Sequence, residues 1–257
     1  MNKIELIANN LACPRCRNKI ELKKENCQKC GYKFQIKENV PVFLADETIY
    51  INKLNETNST NPYSSKSLEI IKNNPDAKIL DFGAGNPAKE ELFDNILKME
   101  FVHYKSTDIV STEGNLPFGD DIFDFVISES VFEHVKDPFY YAKEIYRVLK
   151  PGGKVLIDTA FLQPVHADPY HYFNMTLEGL REVFKSFKEI DAGVESYQTA
   201  SYTLNILLRT YRDLLSDDKI KREFEDKFLI DFNQFNQYIP QNKQYIMSAG
   251  VYFVGIK

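Results

Sequence analysis

From Ser67 onward, short apolar runs of strand length alternate with stretches whose apolar residues recur every three or four positions. The runs at 78–82, 101–107, 122–128, 153–160 and 248–256 predict strands, and 87–98, 137–149 and 176–187 predict helices. Such alternation indicates a parallel sheet with helices on both faces. A further amphipathic stretch over 203–229 sets Leu204, Leu207, Leu208, Tyr211, Leu214 and Leu215 at helical spacing and separates the last two strands. Its pattern fits a lid over a site and a packed or oligomer-contacting decoration equally well. Residues 46–67 are polar and rich in Asn, Ser and Thr, as a linker or flap would be. The expected organisation is a small module at 1–45, a linker and N-terminal flap or helix at 46–76, and an α/β domain at 77–257 with a helical insertion near 203–240.

The 257 residues are 43% hydrophobic and 27% charged, an ordinary soluble balance, and no apolar run approaches a membrane span. Met1–Asn10 lacks the charged-then-apolar pattern of a signal peptide, so the expected location is cytoplasmic. The net charge is −5, but the first 45 residues carry nine Lys or Arg against four Glu. That excess is too weak for a nucleic-acid footprint and leaves room for an acidic protein partner.

All four cysteines, Cys13, Cys16, Cys27 and Cys30, fall in this module as C-x₂-C-x₁₀-C-x₂-C. Each pair can sit on a tight turn that aims two sulfurs at one ion, and two such turns complete a tetrahedron. Disulfides are disfavoured without a secretory signal. A four-thiolate zinc site has no open coordination position, so a structural role is expected. Leu11–Leu44 resembles the zinc ribbons of small proteins that partner and activate RNA- and protein-modifying methyltransferases.

The segment "KILDFGAGNPAKEE" predicts a strand ending near Asp81, a tight turn through Gly83 and Gly85, and a helix opening after Asn86 and Pro87. Glycine lets backbone approach a ligand, and a helix N-terminus offers unpaired N–H groups. Alone this also satisfies the dinucleotide fingerprint through Ala88, so NAD is a rival. The next predicted strand, "FVHYKSTDIV", sets Asp108 at its tip, where a carboxylate suits the ribose hydroxyls of either ligand. His103 within it reads as structural, and Asp124 as a brace between loops.

The run 78–159 resembles the class I S-adenosylmethionine-dependent methyltransferases through "LDFGAG", "TDI", "LPF…FDFVIS", "FEHV.DP" and "E.YRVLKPGG.VLI". Dinucleotide dehydrogenases are not expected to carry that series. The resemblance implies a Rossmann-like, doubly wound, mostly parallel seven-stranded sheet and S-adenosylmethionine as cofactor. It places Asp81, Gly83 and Gly85 along the methionine portion, Asp108 on the ribose and Ile109 against the adenine. Asn115 and Leu116 would offer backbone groups to the adenine edge with help from Glu113, and Ser128 would face the methionine end. Pro87 stands where the family carries a third glycine.

The acceptor belongs after the fifth strand, because strand C-termini face the substrate crevice. There "AFLQPVHADPYHYFNMTLEGLREVF" gathers His166, Asp168, Tyr170 and His171 ahead of a helix capped near Thr176. A hydroxyl acceptor needs a base, and His166, His171 and His134 are the candidates. Glu133 and His134 also suggest the metal-assisted pattern of some quinone-type methyltransferases, but Ser130 stands where that pattern wants a carboxylate, so a catalytic metal is not expected. The pattern "P.H.DPY.YF..T.EGL" resembles methyltransferases encoded with glycosyltransferases, which points to a small polar acceptor such as a sugar or glycan precursor. Two other function classes remain: an RNA or protein methyltransferase that docks its substrate on the ribbon, and a non-catalytic cofactor-binding partner subunit. The acidic 46–257 portion and the absence of an Asn/Asp-Pro-Pro-Tyr/Phe motif count against a nucleic-acid substrate.

Overall fold

The computed structural model describes residues 3–45, 53, 62–86, 93–112, 114–166 and 170–257. The N-terminal module comprises helix α1 (Lys3–Asn10) and the hairpin β1 (Gln35–Lys37) and β2 (Val40–Phe43). Helix α2 (Ser65–Asn73) precedes strands β3 (Ile79–Phe82), β4 (Ile96–Glu100), β5 (Ile109–Ser111) and β6 (Phe123–Glu129). Then come α3 (Pro138–Val148), β7 (Leu149–Ala160), α4 (Leu177–Val183) and β8 (Lys188–Gly193). An insertion of α5 (Ala200–Leu214), α6 (Asp218–Phe228) and α7 (Asn233–Asn236) leads to the final strand β9 (Gly250–Ile256).

Among the described residues the sheet has nine strands rather than the expected seven, in the order β1-β2-β5-β4-β3-β6-β7-β9-β8. The two extra strands come from the N-terminal module. Its β2 pairs parallel with β5, setting Val42 opposite Val110 and Phe43 opposite Ser111. The sheet is mixed: β1 with β2, β7 with β9 and β8 with β9 run antiparallel, and the remaining pairs are parallel.

The period-two alternation of strand side chains divides the apolar residues between two faces. Leu80, Phe82, Leu97, Met99, Val126, Val155 and Ile157 join the larger core, under α3 and α4. Their neighbours Ile79, Ile96, Ile127 and Leu156 join a smaller core with Tyr63 and Ile71 of the α2 region. Cys13, Ile20, Tyr32, Phe34 and Phe43 belong to the larger core as well, so the cysteine module and the α/β domain share one apolar interior.

The second strand of the α/β domain lies at 96–100, not at 101–107, and the helix expected over 87–98 cannot extend past Asn95; 87–92 lie outside the described residues. Lys98 and Glu100 give this stretch a helical look, yet both side chains are buried at 8% exposure within a five-residue strand. Its register on β3 sets Ile79 opposite Ile96 and Phe82 opposite Met99. His103 therefore falls in the segment after β4, where it is buried. The stretch 203–229 is two helices rather than one. Leu215 is extended, and Asp217 caps α6 by accepting from the N–H groups of Lys219 at 2.7 Å and Ile220 at 3.0 Å. The helix expected to run to 187 stops at Val183, and 188–193 form an edge strand. Among the described residues no helix is long and apolar enough to cross a membrane.

Candidate functional site

The four cysteines sit on two matching turns. Cys13 N–H donates to Asn18 O and Arg17 N–H to Cys13 O, both at 2.8 Å. Cys27 N–H donates to Tyr32 O at 2.8 Å and Gly31 N–H to Cys27 O at 2.9 Å, repeating the same pattern fourteen residues later. Arg17 and Gly31 take left-handed φ values of 57° and 71° to close the turns. The sulfurs of Cys13 and Cys30, and of Cys16 and Cys27, are 3.5 Å apart, and the four lie within 4.8 Å of one another. No disulfide joins them. The donor set and its spacing fit one tetrahedral thiolate-bound ion.

This module is fastened to the α/β domain. Ala12 N–H donates to Pro117 O and Gly119 N–H to Asn10 O, both at 3.0 Å. Asn115 Nδ2 donates to Pro14 O, and Asn115 Oδ1 accepts from the Tyr140 hydroxyl. Arg17 reaches the buried Glu144 at 3.0 Å, which Leu116 N–H also contacts at 2.9 Å. The N–H of Leu116, one of the backbone groups expected at an adenine edge, is thus engaged by Glu144, while the side chain of Asn115 holds the cysteine module.

At the C-terminal end of β3, Asp81 is fully buried and accepts from the Tyr63 hydroxyl at 2.6 Å. The nearby carboxylate and burial push the Tyr63 hydroxyl far up, burial being the larger cause. The turn that follows is held against β4: Gly83 and Ala84 N–H both donate to Met99 O, at 2.9 and 3.2 Å, and Gly85 N–H donates to Glu100. Gly83 has φ +79°, and a Cβ there would lie 2.3 Å from Val131 Cγ2. This position requires glycine on both counts. Ser128, fully buried one residue before the end of β6, has a hydroxyl without a partner among the described residues. Glu113 lies outside the described residues, as do Pro87 and Ala88.

The carboxylate at the tip of the strand beside the glycine turn is Glu100, not Asp108. Glu100 also accepts from Phe101 N–H at 2.9 Å. Asp108 stands just before β5, where its carboxylate accepts from Lys98 N–H at 2.8 Å and meets Lys3 at 3.3 Å. Ile109, beside it, is fully buried in the larger core. Asp124 braces loops as expected, accepting from Lys78 N–H at 2.9 Å and Lys150 at 2.7 Å.

At the ends of β6 and β7 a set of carboxyls lies below the surface. Glu129 ends β6 and accepts from Ser64 N–H at 3.1 Å and the Ser67 hydroxyl at 2.9 Å. Opposite it on β7, Asp158 accepts from Gln198 at 2.8 Å through one oxygen. Burial, reinforced by Glu129, Glu133 and Glu195, holds the Asp158 carboxyl well above the ordinary carboxylate range despite the Gln198 contact. Ser130 then takes a left-handed φ of 56°, turning the chain into a short 3₁₀ turn over Phe132–His134.

The three candidate bases meet there. The rings of His134 and His166 are 5.1 Å apart, those of His166 and His171 4.5 Å, and those of His134 and His171 5.8 Å. The histidine loop is tied to the turn by Tyr172 N–H and Phe173 N–H, which donate to Glu133 O at 2.7 and 3.2 Å. Asp168 lies outside the described residues. Thr176 caps α4 by accepting from Gly179 N–H at 3.0 Å.

Sequence reasoning missed Tyr63, Glu100, Glu129 and Asp158. Glu100 was hidden because Lys98 and Glu100 interrupt the apolar run of Ile96, Leu97 and Met99, and only the register on β3 marks the strand. Tyr63 carried no signal, since it lies in a polar segment far from the glycine turn.

Residues 63–157 match the family described as "Methyltransferase domain". The demethylmenaquinone methyltransferase of Geobacillus sp. (strain WCH70) is 30% identical over 118 residues, 46% of each chain. The chain thus spans about half the length of that curated relative. Among solved structures, the [4+2]-cyclase SpnF is 17% identical with a TM-score of 0.45, over 70% of this chain and 74% of that one. The Haemonchus contortus phosphoethanolamine N-methyltransferase 2, in complex with S-adenosyl-L-methionine, is 20% identical with a TM-score of 0.42, over 78% and 54%.

Proposed function

We propose that the chain, whose residues 63–157 match the family described as "Methyltransferase domain", transfers a methyl group from S-adenosylmethionine to a small polar acceptor such as a sugar or glycan precursor. The observation that carries the cofactor reading is the glycine turn. It is closed onto Met99 O and Glu100, intolerant of a Cβ at Gly83, and flanked by the unpartnered Ser128 hydroxyl. Val131 occupies the space a side chain would need, so glycine alone keeps this turn's shape beside the Ser128 hydroxyl, the group left for a ligand. Asp81, Gly83, Gly85 and Ser128 would hold the methionine portion, and Glu100 the ribose in place of Asp108. Phe101 would take the adenine side in place of Ile109. Bound there, S-adenosylmethionine supplies an electrophilic methyl group.

The chain's own residues do the rest. Tyr63 fixes the buried Asp81. Glu129, Asp158 and Gln198 offer polar groups that suit a hydroxyl-bearing acceptor, and the histidine cluster handles the acceptor's proton. Holding acceptor and methyl group in line is the main catalytic demand of such a displacement. The four cysteines hold a structural Zn²⁺. A ribbon that docks RNA or protein is the weaker reading, because Pro14 and Arg17 of its first turn already engage Asn115 and Glu144.

Calorimetric titration with S-adenosylmethionine tests this, with NADH as control ligand. Glu100→Ala should weaken binding by about 1–3 kcal/mol, the cost of losing a charged hydrogen-bond partner, and Asp108→Ala should leave it near the wild-type value. Binding of NADH alone, or of neither ligand, by the wild-type chain would overturn the assignment.

A further inference from the structure

We propose that Glu133, His134 and His166 form a second metal site, which takes a divalent transition-metal ion of the zinc class and keeps one coordination position open toward the acceptor. One donor atom from each of the three lies within 4.8 Å of the others. The local sequence argued against such a site because Ser130 occupies the place of a carboxylate. The fold supplies the missing donor from a loop more than thirty residues away.

The hydrogen bonds fix which ring nitrogens are free. His134 Nδ1 lies 2.6 Å from Tyr170 O and His166 Nδ1 lies 3.2 Å from Pro164 O. A carbonyl oxygen only accepts, so each Nδ1 carries the proton, and in the neutral ring each Nε2 keeps its lone pair. Metal-bound histidines have this arrangement, the distal N–H held by a carbonyl or carboxylate so that ring and tautomer are set in advance. Glu133 is 1% exposed, and one of its oxygens accepts from the Thr159 hydroxyl at 2.8 Å, which orients the carboxylate. The backbone carbonyl of the same residue anchors the histidine loop through Tyr172 and Phe173, so ligand and loop are positioned together.

His171 is a brace rather than a ligand. Its Nδ1 accepts from His166 N–H at 3.3 Å, and its Nε2–H donates to Asn174 Oδ1 at 2.7 Å, which occupies both ring nitrogens. Asn174 in turn donates to Gln163 O at 2.9 Å. Two imidazoles and a carboxylate are the donor set of catalytic zinc sites, which leave a fourth position for water or substrate. The contrast with the closed four-cysteine centre is one of role as well as of ligand. His166 is exposed, which gives an ion a way in.

The consequence for the acceptor rests on the methyl-transfer reading: the cluster would act on the acceptor's proton through the ion, which acidifies a hydroxyl on the open position, rather than through a free histidine base. The site itself is tested without activity. Full-length protein is dialysed against zinc and its metal content measured by plasma mass spectrometry. The expected result is two zinc ions per chain, falling to one in His134→Ala, His166→Ala and Glu133→Gln, with unchanged circular dichroism. With the cysteine centre kept zinc-loaded, Co²⁺ should give an absorption spectrum without thiolate charge-transfer bands, absent in Glu133→Gln. His171→Ala should keep the site but weaken it by roughly 10-fold or more, as loss of an outer partner does. A wild-type stoichiometry of one, with no such Co²⁺ spectrum, would overturn the proposal. Failure of S-adenosylmethionine to bind would leave the metal count untouched, so the two readings fail separately.

Discussion

Glu144→Ala removes a carboxylate that joins the cysteine module, helix α3 and the loop before β6. The side chain is 3% exposed, and both oxygens are in use. One accepts from Arg17 at 3.0 Å and Arg147 Nε at 2.9 Å, the other from Arg147 Nη2 at 2.6 Å and Leu116 N–H at 2.9 Å. Without it Arg147, whose side chain is 11% exposed, retains Asp120 and the carbonyls of Phe118 and Leu116. Burial opposes the Arg147 charge, and Glu144, with Asp120, is what sustains it. Removing one partner of a buried pair costs about 3–5 kcal/mol, because the other charge stays buried. Asp120 is 68% exposed and compensates little, so the expected loss is about 3 kcal/mol or more. That is a large share of the roughly 5–15 kcal/mol that holds a typical protein folded. Urea unfolding at neutral pH measures it, with Arg17→Ala as control. Arg17 is 53% exposed, and its loss should cost no more than about 1 kcal/mol. A Glu144→Ala penalty below about 1 kcal/mol would refute the claim that this carboxylate is an uncompensated counter-ion.

Gly83→Ala should abolish S-adenosylmethionine binding in calorimetry and lower the melting temperature. The left-handed φ alone costs about 1–2 kcal/mol, and Val131 must also move aside. Asp158 has a raised folded-state pKa, so the native state holds a proton that the unfolded chain releases above the ordinary carboxylate range; its contribution to stability is present at low pH and lost as pH rises through the raised value. Asp158→Asn should therefore flatten the decline of melting temperature with rising pH, and an unchanged slope would show that another group carries it. Chelating the Zn²⁺ proposed at the four cysteines should lower the stability of the whole chain in one transition, read by tyrosine fluorescence and circular dichroism, because Cys13 and Cys27 lie in the same core as Phe118 and Phe123.

The stretch from β6 to β7 was legible in the sequence because every level agreed there. Phe123–Glu129 is a run of strand length, Asp137 and Pro138 open α3, and Pro151–Gly153 fall early in β7, where its pairing with β6 shifts register. The strand β4 was not legible, since Lys98 and Glu100 break an apolar run that only the sheet register explains. That one misplacement set Asp108 at the tip of the second strand, whereas Glu100 ends β4 and Asp108 stands just before β5. The pairing of β2 with β5 had no local signal: the two stretches are short and almost seventy residues apart. The histidines were each nominated separately, and only the bond from Tyr172 N–H to Glu133 O shows why they meet.

That pairing of β2 with β5 also decides where the sheet ends. Strand β5 is three residues long and buried, and without β2 its outer backbone groups would form an open, apolar border that invites pairing with another chain. The N-terminal module covers that border with Val40–Phe43 and leaves the outermost place to β1, whose residues are half-buried or exposed. A segment almost seventy residues away thus guards the sheet against foreign strands.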